Sequence, residues 1–127
     1  MRATELIPAW TNRRAGAAPT YDGFYAAVVY RPDIGIVVGA DLLGMFPVYY
    51  YTSGEVLLVG SSPELFRHHE AFRMEFNPAG LVGMLLTMHI VGGQTLMRGV
   101  RRLAASHLLL WSTSRTATVP HTSLPAD

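Results

Sequence analysis

The chain has 127 residues, a formal net charge of +1 and no cysteine, so it holds no disulfide framework, zinc knuckle or thiol nucleophile of its own. Half of its residues are apolar and 15% are charged. It is therefore a folding sequence with material for one core, and too short for two domains. The charge balance makes no electrostatic case for nucleic acid, and no stripe of interleaved basic and aromatic residues supports one.

The mean hydropathy of +0.23 is high for a small domain, which implies that part of the apolar surface meets a partner. Every basic residue is arginine, a pattern that coding bias explains without chemistry. The start, Met1-Arg2-Ala3-Thr4-Glu5-Leu6, lacks the apolar run of a secretory signal. The most apolar window, Leu81 to Val91, is interrupted by Gly83 and His89 and is too short to span a bilayer. A cytoplasmic protein without membrane contact is the expectation.

In chain order, residues Met1 to Thr20 show no sustained period and read as an irregular arm. Phe24 to Tyr30 is β-branched and aromatic and stops at the turn signal Arg31-Pro32-Asp33. Ile34 to Ala40 is the second strand of that hairpin, and both runs are apolar enough to be buried on both faces. Val48 to Thr52 and Glu55 to Gly60 flank Ser53-Gly54, a two-residue hairpin signal. Ser62-Pro63-Glu64 opens a short helix to His68, with serine as cap, proline first and glutamate at the positive dipole end.

Phe72, Met74 and Phe76 alternate with Arg73 and Glu75, as a half-exposed edge strand would. Asn77-Pro78 starts a second helix, to Met88, with Leu81, Met84, Leu85 and Met88 on one face. After Gly92-Gly93 a loop runs to Leu103, followed by the strand His107 to Ser112 and a returning strand, Thr116 to Val119. A frayed tail starts at Pro120. The domain thus runs over residues 21–119, between an arm (1–20) and a tail (120–127). Its class is α+β: antiparallel strands with two short helices on one side.

No motif declares a catalytic centre. Gly60-Ser61-Ser62 lacks the G-x-S-x-G pattern of a nucleophile turn, and Ser62 reads as the helix cap. His68-His69-Glu70 is not the i, i+4 histidine pair of a metalloprotease helix; no metal and no cofactor is expected. Tyr49, Tyr50 and Tyr51 read as packing the two faces of a strand, with stacking against a ligand as the alternative. Arg98, Arg101 and Arg102 are the densest positive cluster, a candidate contact for an anion or an acidic partner set against a solvated loop.

Four blocks carry a resemblance: Gly23 to Tyr30, Gly39 to Tyr50, Val59 to Phe66, and Thr95 to Leu103. In order and spacing, from Tyr21 to Trp111, they resemble the second half of a class II glutamine amidotransferase domain, as found at the amino terminus of asparagine synthetases. The resemblance implies an N-terminal-nucleophile fold, two antiparallel sheets stacked between helical layers, of which this chain carries part. It implies structural roles for Asp41 at a strand end, Gly44 in a tight turn, and Pro47 at the entry to the strand of Tyr49 and Tyr50. It also implies a turn hydrogen bond for His107 and, for the loop holding Arg98, Arg101 and Arg102, a place near a nucleotide-using domain.

In that family a cysteine thiolate attacks the glutamine amide, and the residues that recognise glutamine precede the first block. None of them can be carried onto this chain, which resembles relatives without the cysteine, such as β-lactam synthetases and lasso-peptide cyclases. The implied function is a non-catalytic scaffold or interaction module. The alternatives are a subunit or fragment of an ATP-dependent amide-forming enzyme, partnered by a synthetase domain, or a small-ligand or peptide-binding module. A homo-oligomer is expected, because the strands would expose a sheet face that the family's first half covers.

Overall fold

The computed structural model describes residues 25–32, 35–41, 43–89 and 92–120; the arm and the tail from residue 121 lie outside them. The chain forms two compact units, one of Met1–Phe46 with Ala104–Asp127 and one of Pro47–Leu103. The fold is α+β with antiparallel sheets and few short helices.

The first unit holds a four-stranded sheet. Strands β1 (Ala26–Arg31) and β2 (Gly35–Ala40) form the predicted hairpin, in the register Ala26 opposite Ala40 and Arg31 opposite Gly35. The predicted ends Phe24 and Ile34 lie outside the described residues. β2 then pairs with a strand from far along the chain, His107–Ser112, so that Ile36 faces Trp111 and Gly39 faces Leu108. Residues Arg115–Pro120 return beside that strand and complete the sheet; Pro120 thus ends a strand instead of opening a tail. Pairing His107 with Pro120 is tolerated because proline sits at the strand's last residue.

Strand alternation explains the burial. Tyr25, Val29 and Val37 cluster with Ala27, Leu108 and Leu110 on one face. Val38 and Leu109, facing the other way, are also fully buried. Both faces of β2 are therefore covered, as its unbroken apolar run predicts.

The second unit is built on the hairpin of β3 (Tyr49–Ser53) and β4 (Val56–Gly60). The closing pair is Ser53 with Val56, so the turn residues are Gly54 and Glu55, one position beyond the predicted Ser53-Gly54. Gly54 takes a φ of +55° while Glu55 is not left-handed, the arrangement that places glycine first in a type II′ turn. A third strand, β5 (Arg101–Arg102), adds to β3 at Tyr49 and Tyr50, where the sequence predicts only loop. Two residues carry too little pattern to announce a strand. The two remaining strands are β6 (His107–Ser112) and β7 (Arg115–Pro120) of the first sheet.

Pro63–His68 is helical with 3-10 geometry. Ser62 occupies the cap position in an extended conformation, but its hydroxyl makes no capping bond. The turn closes through the backbone, with Leu65 N–H donating to Ser62 O at 3.3 Å, as the tighter i to i+3 ladder does. The predicted edge strand at 72–76 reduces to one bridge, Phe76 with Met97. Phe72 instead turns inward, edge-on to Tyr51 and Phe66, in a core with Val100, Leu58 and Met97.

Helix α1 (Pro78–Thr87) ends with Met88 in a left-handed cap, its N–H on Met84 O at 2.7 Å. Leu81, Met84, Leu85 and Met88 do not share a buried face. Leu81 and Met84 are partly buried, Leu85 and Met88 are exposed, and the fully buried position is Gly80. The inward face is rotated because the helix approaches the loop backbone through a glycine: a Cβ at Gly80 would collide with Thr95 O.

Candidate functional site

The Gly39–Tyr50 block closes on one side chain. Asp41 follows β2, is fully buried, and its carboxylate accepts four backbone N–H groups. Oδ1 takes Leu43 at 3.1 Å and Met45 at 3.0 Å; Oδ2 takes Phe46 at 3.0 Å and Tyr25 at 3.3 Å. Its backbone is as fully engaged: the N–H donates to Tyr25 O at 3.1 Å, and the carbonyl accepts from Gly44 at 3.1 Å and Ser106 at 3.0 Å.

Burial raises the carboxyl's pKa, but the N–H groups of Phe46, Met45, Tyr25 and Leu43 outweigh it and hold the group below its ordinary value. The charged form is the one the loop is folded around. Gly44 supports the wrap with a φ of +63° and lies against Ala105, a place where an L side chain would be both strained and crowded. Ser106 reaches Asp41 from a left-handed φ of +59°. His107, next to it, donates from Nδ1 to Ala105 O at 2.8 Å, a turn hydrogen bond at the head of β6.

The other named residues belong to the second unit. Pro47, partly buried, precedes β3. Tyr49 and Tyr50 are partly buried in β3, opposite Arg102 and Arg101. Burial raises the Tyr50 phenol's pKa while the Arg101 guanidinium opposes the shift, so the phenol stays protonated at neutral pH.

Arg98, Arg101 and Arg102 are not gathered around one point. Arg101 and Arg102 are consecutive in β5 and so project to opposite faces of the sheet. Arg98 is exposed, 3.6 Å from the Glu75 carboxylate, and its N–H donates to Glu75 O at 2.8 Å.

A second polar centre escaped the sequence reading. Thr95 is buried, and its hydroxyl lies 2.8 Å from Val100 O and 3.0 Å from Met97 O while accepting from Met97 N–H at 3.2 Å. Asn77 Nδ2 donates to Thr95 O at 2.9 Å, and Asn77 N–H donates to Leu96 O at 2.7 Å. The asparagine that the sequence marks as a helix cap thus spends its side chain on the loop. The available signal was the pairing of one threonine in a glycine-rich loop with Asn77, and only three-dimensional proximity makes it readable.

An open groove of about 410 Å³ lies between β4 and the 3-10 turn, lined by Leu57, Leu58, Val59, Leu65 and Phe66 with His68 and His69. His69 Nδ1 accepts from Ala71 N–H at 3.1 Å. Among the described residues, no three histidine or carboxylate side chains come together to hold a metal ion, and no helix is long and apolar enough to cross a membrane.

The arrangement is that of an antiparallel α+β domain in which buried Asp41 ties a loop to the starts of two strands, both of its carboxylate oxygens being engaged by backbone N–H groups. Residues 4–122 match the sequence profile of a glutamine amidotransferase domain, and the chain belongs to that family. The match extends beyond Tyr21–Trp111 at both ends, taking in most of the arm. No curated protein matches the chain.

Proposed function

We propose that the chain is a non-catalytic member of the glutamine amidotransferase family, kept as a scaffold or interaction module. On this reading it is akin to the glutaminase-like domain that accompanies an ATP-using synthetase in enzymes of the asparagine synthetase type. The observation carrying this reading is that a family whose chemistry needs a thiolate is represented here by 127 residues without cysteine. Asp41 supports it, because all four hydrogen bonds of its carboxylate go to backbone N–H groups. Asp41, Gly44 and Pro47 are on this reading structural residues.

The test is ammonia release from glutamine by the purified chain. No release above a heat-denatured control is expected. Release that persists through successive purification steps and disappears in a point variant of this chain would overturn the reading.

A second reading, a peptide-binding module, is favoured by the groove between β4 and the 3-10 turn. Its lining is mainly apolar, with two histidines among it, the make-up of a shallow peptide site. Chemical-shift changes confined to Leu57–Val59 and Leu65–His69 on adding a pool of short apolar peptides would support it; changes elsewhere, or none, would remove it.

A further inference from the structure

We infer that the outer edge of β4 takes up an extended segment of a partner protein as an added strand. The inference rests on the reading of the groove as a peptide site and adds how the peptide lies in it. The three-stranded sheet has the order β4-β3-β5, so β4 is an edge, and among the described residues no strand lies beyond it. The opposite edge is covered: Gln94 bridges to Arg101, and Arg102 N–H donates to Gly93 O at 2.8 Å.

The register fixes which backbone groups stand open. Ser53 and Val56 close a two-residue turn, so the hydrogen-bonded pairs fall at Val56, Leu58 and Gly60. The N–H and C=O groups of Leu57 and Val59 therefore point away from β3. Both residues line the groove, together with Leu58 between them. Consecutive strand residues present their side chains to opposite faces. A groove that touches all three thus runs along the edge of the strand and not over one face. The donors and acceptors of Leu57 and Val59, about 7 Å apart along the strand, are aimed into it.

These backbone groups select the occupant. Donors and acceptors spaced along an edge are met in register by an extended backbone, whereas a surface of side chains leaves them unmet. The strand, Val-Leu-Leu-Val-Gly, carries neither the charge nor the proline that keeps other chains from joining an edge. β7, at the edge of the other sheet, shows the contrast, for it starts at Arg115 and ends at Pro120. The far wall of the groove is the 3-10 turn, where Leu65 is 59% exposed. It offers an apolar surface to alternate side chains of the incoming strand. A second copy of this chain fits less well, because the turn beside its own β4 would enter the same space.

The probe is an acetylated seven-residue peptide of alternating valine and threonine, added to the isotopically labelled whole chain. Binding should slow hydrogen exchange at the Leu57 and Val59 amides and shift the resonances of residues 65–69. Of the two alternate sets of peptide nitrogens, one faces β4 and the other faces away. Methylating the first set should weaken binding about tenfold or more; methylating the second should leave it unchanged. Leu57→Pro removes an outward N–H without breaking the β3–β4 ladder and should weaken binding in the same way. Shifts in the groove that are indifferent to both methylation patterns would overturn the added strand while leaving a peptide site. No shift at all would remove both. Slow exchange at Leu57 and Val59 before any peptide is added would show that the chain, or a second copy, covers the edge, and overturns the inference as well. Should Leu57→Pro fail to fold, the two methylated peptides decide.

Discussion

At Asp41 the balance between burial and hydrogen bonding decides the chemistry. A carboxylate removed from water is costly, yet four N–H donors at 3.0–3.3 Å replace its hydration and leave the charged form favoured. Asp41→Asn replaces one accepting oxygen by a donor that faces other donors. It should cost about 2–4 kcal/mol of stability, read from chemical denaturation. The pH dependence follows with a definite sign. The folded-state pKa lies below the ordinary 3.8, so the contribution is complete above that value and is lost as pH falls through it towards the lower folded value. Acidification below about pH 4 should therefore narrow the stability gap between wild type and Asp41→Asn; a gap that stays constant would show that the charge is not what the loop requires. The aspartate could be picked out from the sequence by its place after an apolar strand and before a glycine turn. Its seven hydrogen-bonding partnerships could not, because two of the donors, on Tyr25 and Ser106, are distant along the chain.

Among the elements, hairpins were readable and long-range pairings were not. The β1–β2 and β3–β4 strands announce themselves through composition and the turn between them, and even there the second turn falls one residue later than Ser53-Gly54 suggests. The β2–β6 pairing joins Ile36 to Trp111, and no local pattern records such a partnership. Helix α1 shows the same limit: its apolar residues allow several faces, and the face chosen is set by contact between Gly80 and the Thr95 backbone. That contact makes two predictions. Gly80→Ala, which in an exposed helix would stabilise by up to about 1 kcal/mol, should here destabilise by about 1–3 kcal/mol through overpacking. Thr95→Val keeps the shape and removes the hydroxyl, leaving Met97 N–H without its acceptor, and should also cost about 1–3 kcal/mol. Thermal unfolding of both variants checks the pair; a neutral Gly80→Ala would mean that the helix rests farther from the loop.

At the scale of the whole molecule, the order of contacts along the chain has kinetic consequences. Unit two is one continuous stretch, Pro47–Leu103, while unit one is assembled from two pieces that flank it. The four-stranded sheet cannot close until β6 arrives at β2, and such distant pairing is slow because the loop must be ordered before the contacts form. Refolding followed by stopped-flow fluorescence of Trp111, which sits in the β2–β6 pair, should be on the order of milliseconds to seconds. A microsecond phase carrying the full Trp111 change would contradict this topology.

The hydrogen bonds that close each unit have a consequence for how such a gene can change. In unit two, Leu103 N–H reaches back to Val48 O at 2.8 Å; in unit one, Ser106 N–H reaches back to Asp41 O at 3.0 Å. Each unit therefore brings its own two chain crossings together, as the tolerated sites of domain insertion do. The middle segment is a cassette in the literal sense. Replacing Pro47–Leu103 by a short bridge is therefore expected to leave the pairing of the outer strands in place, with the Asp41 loop beside the splice.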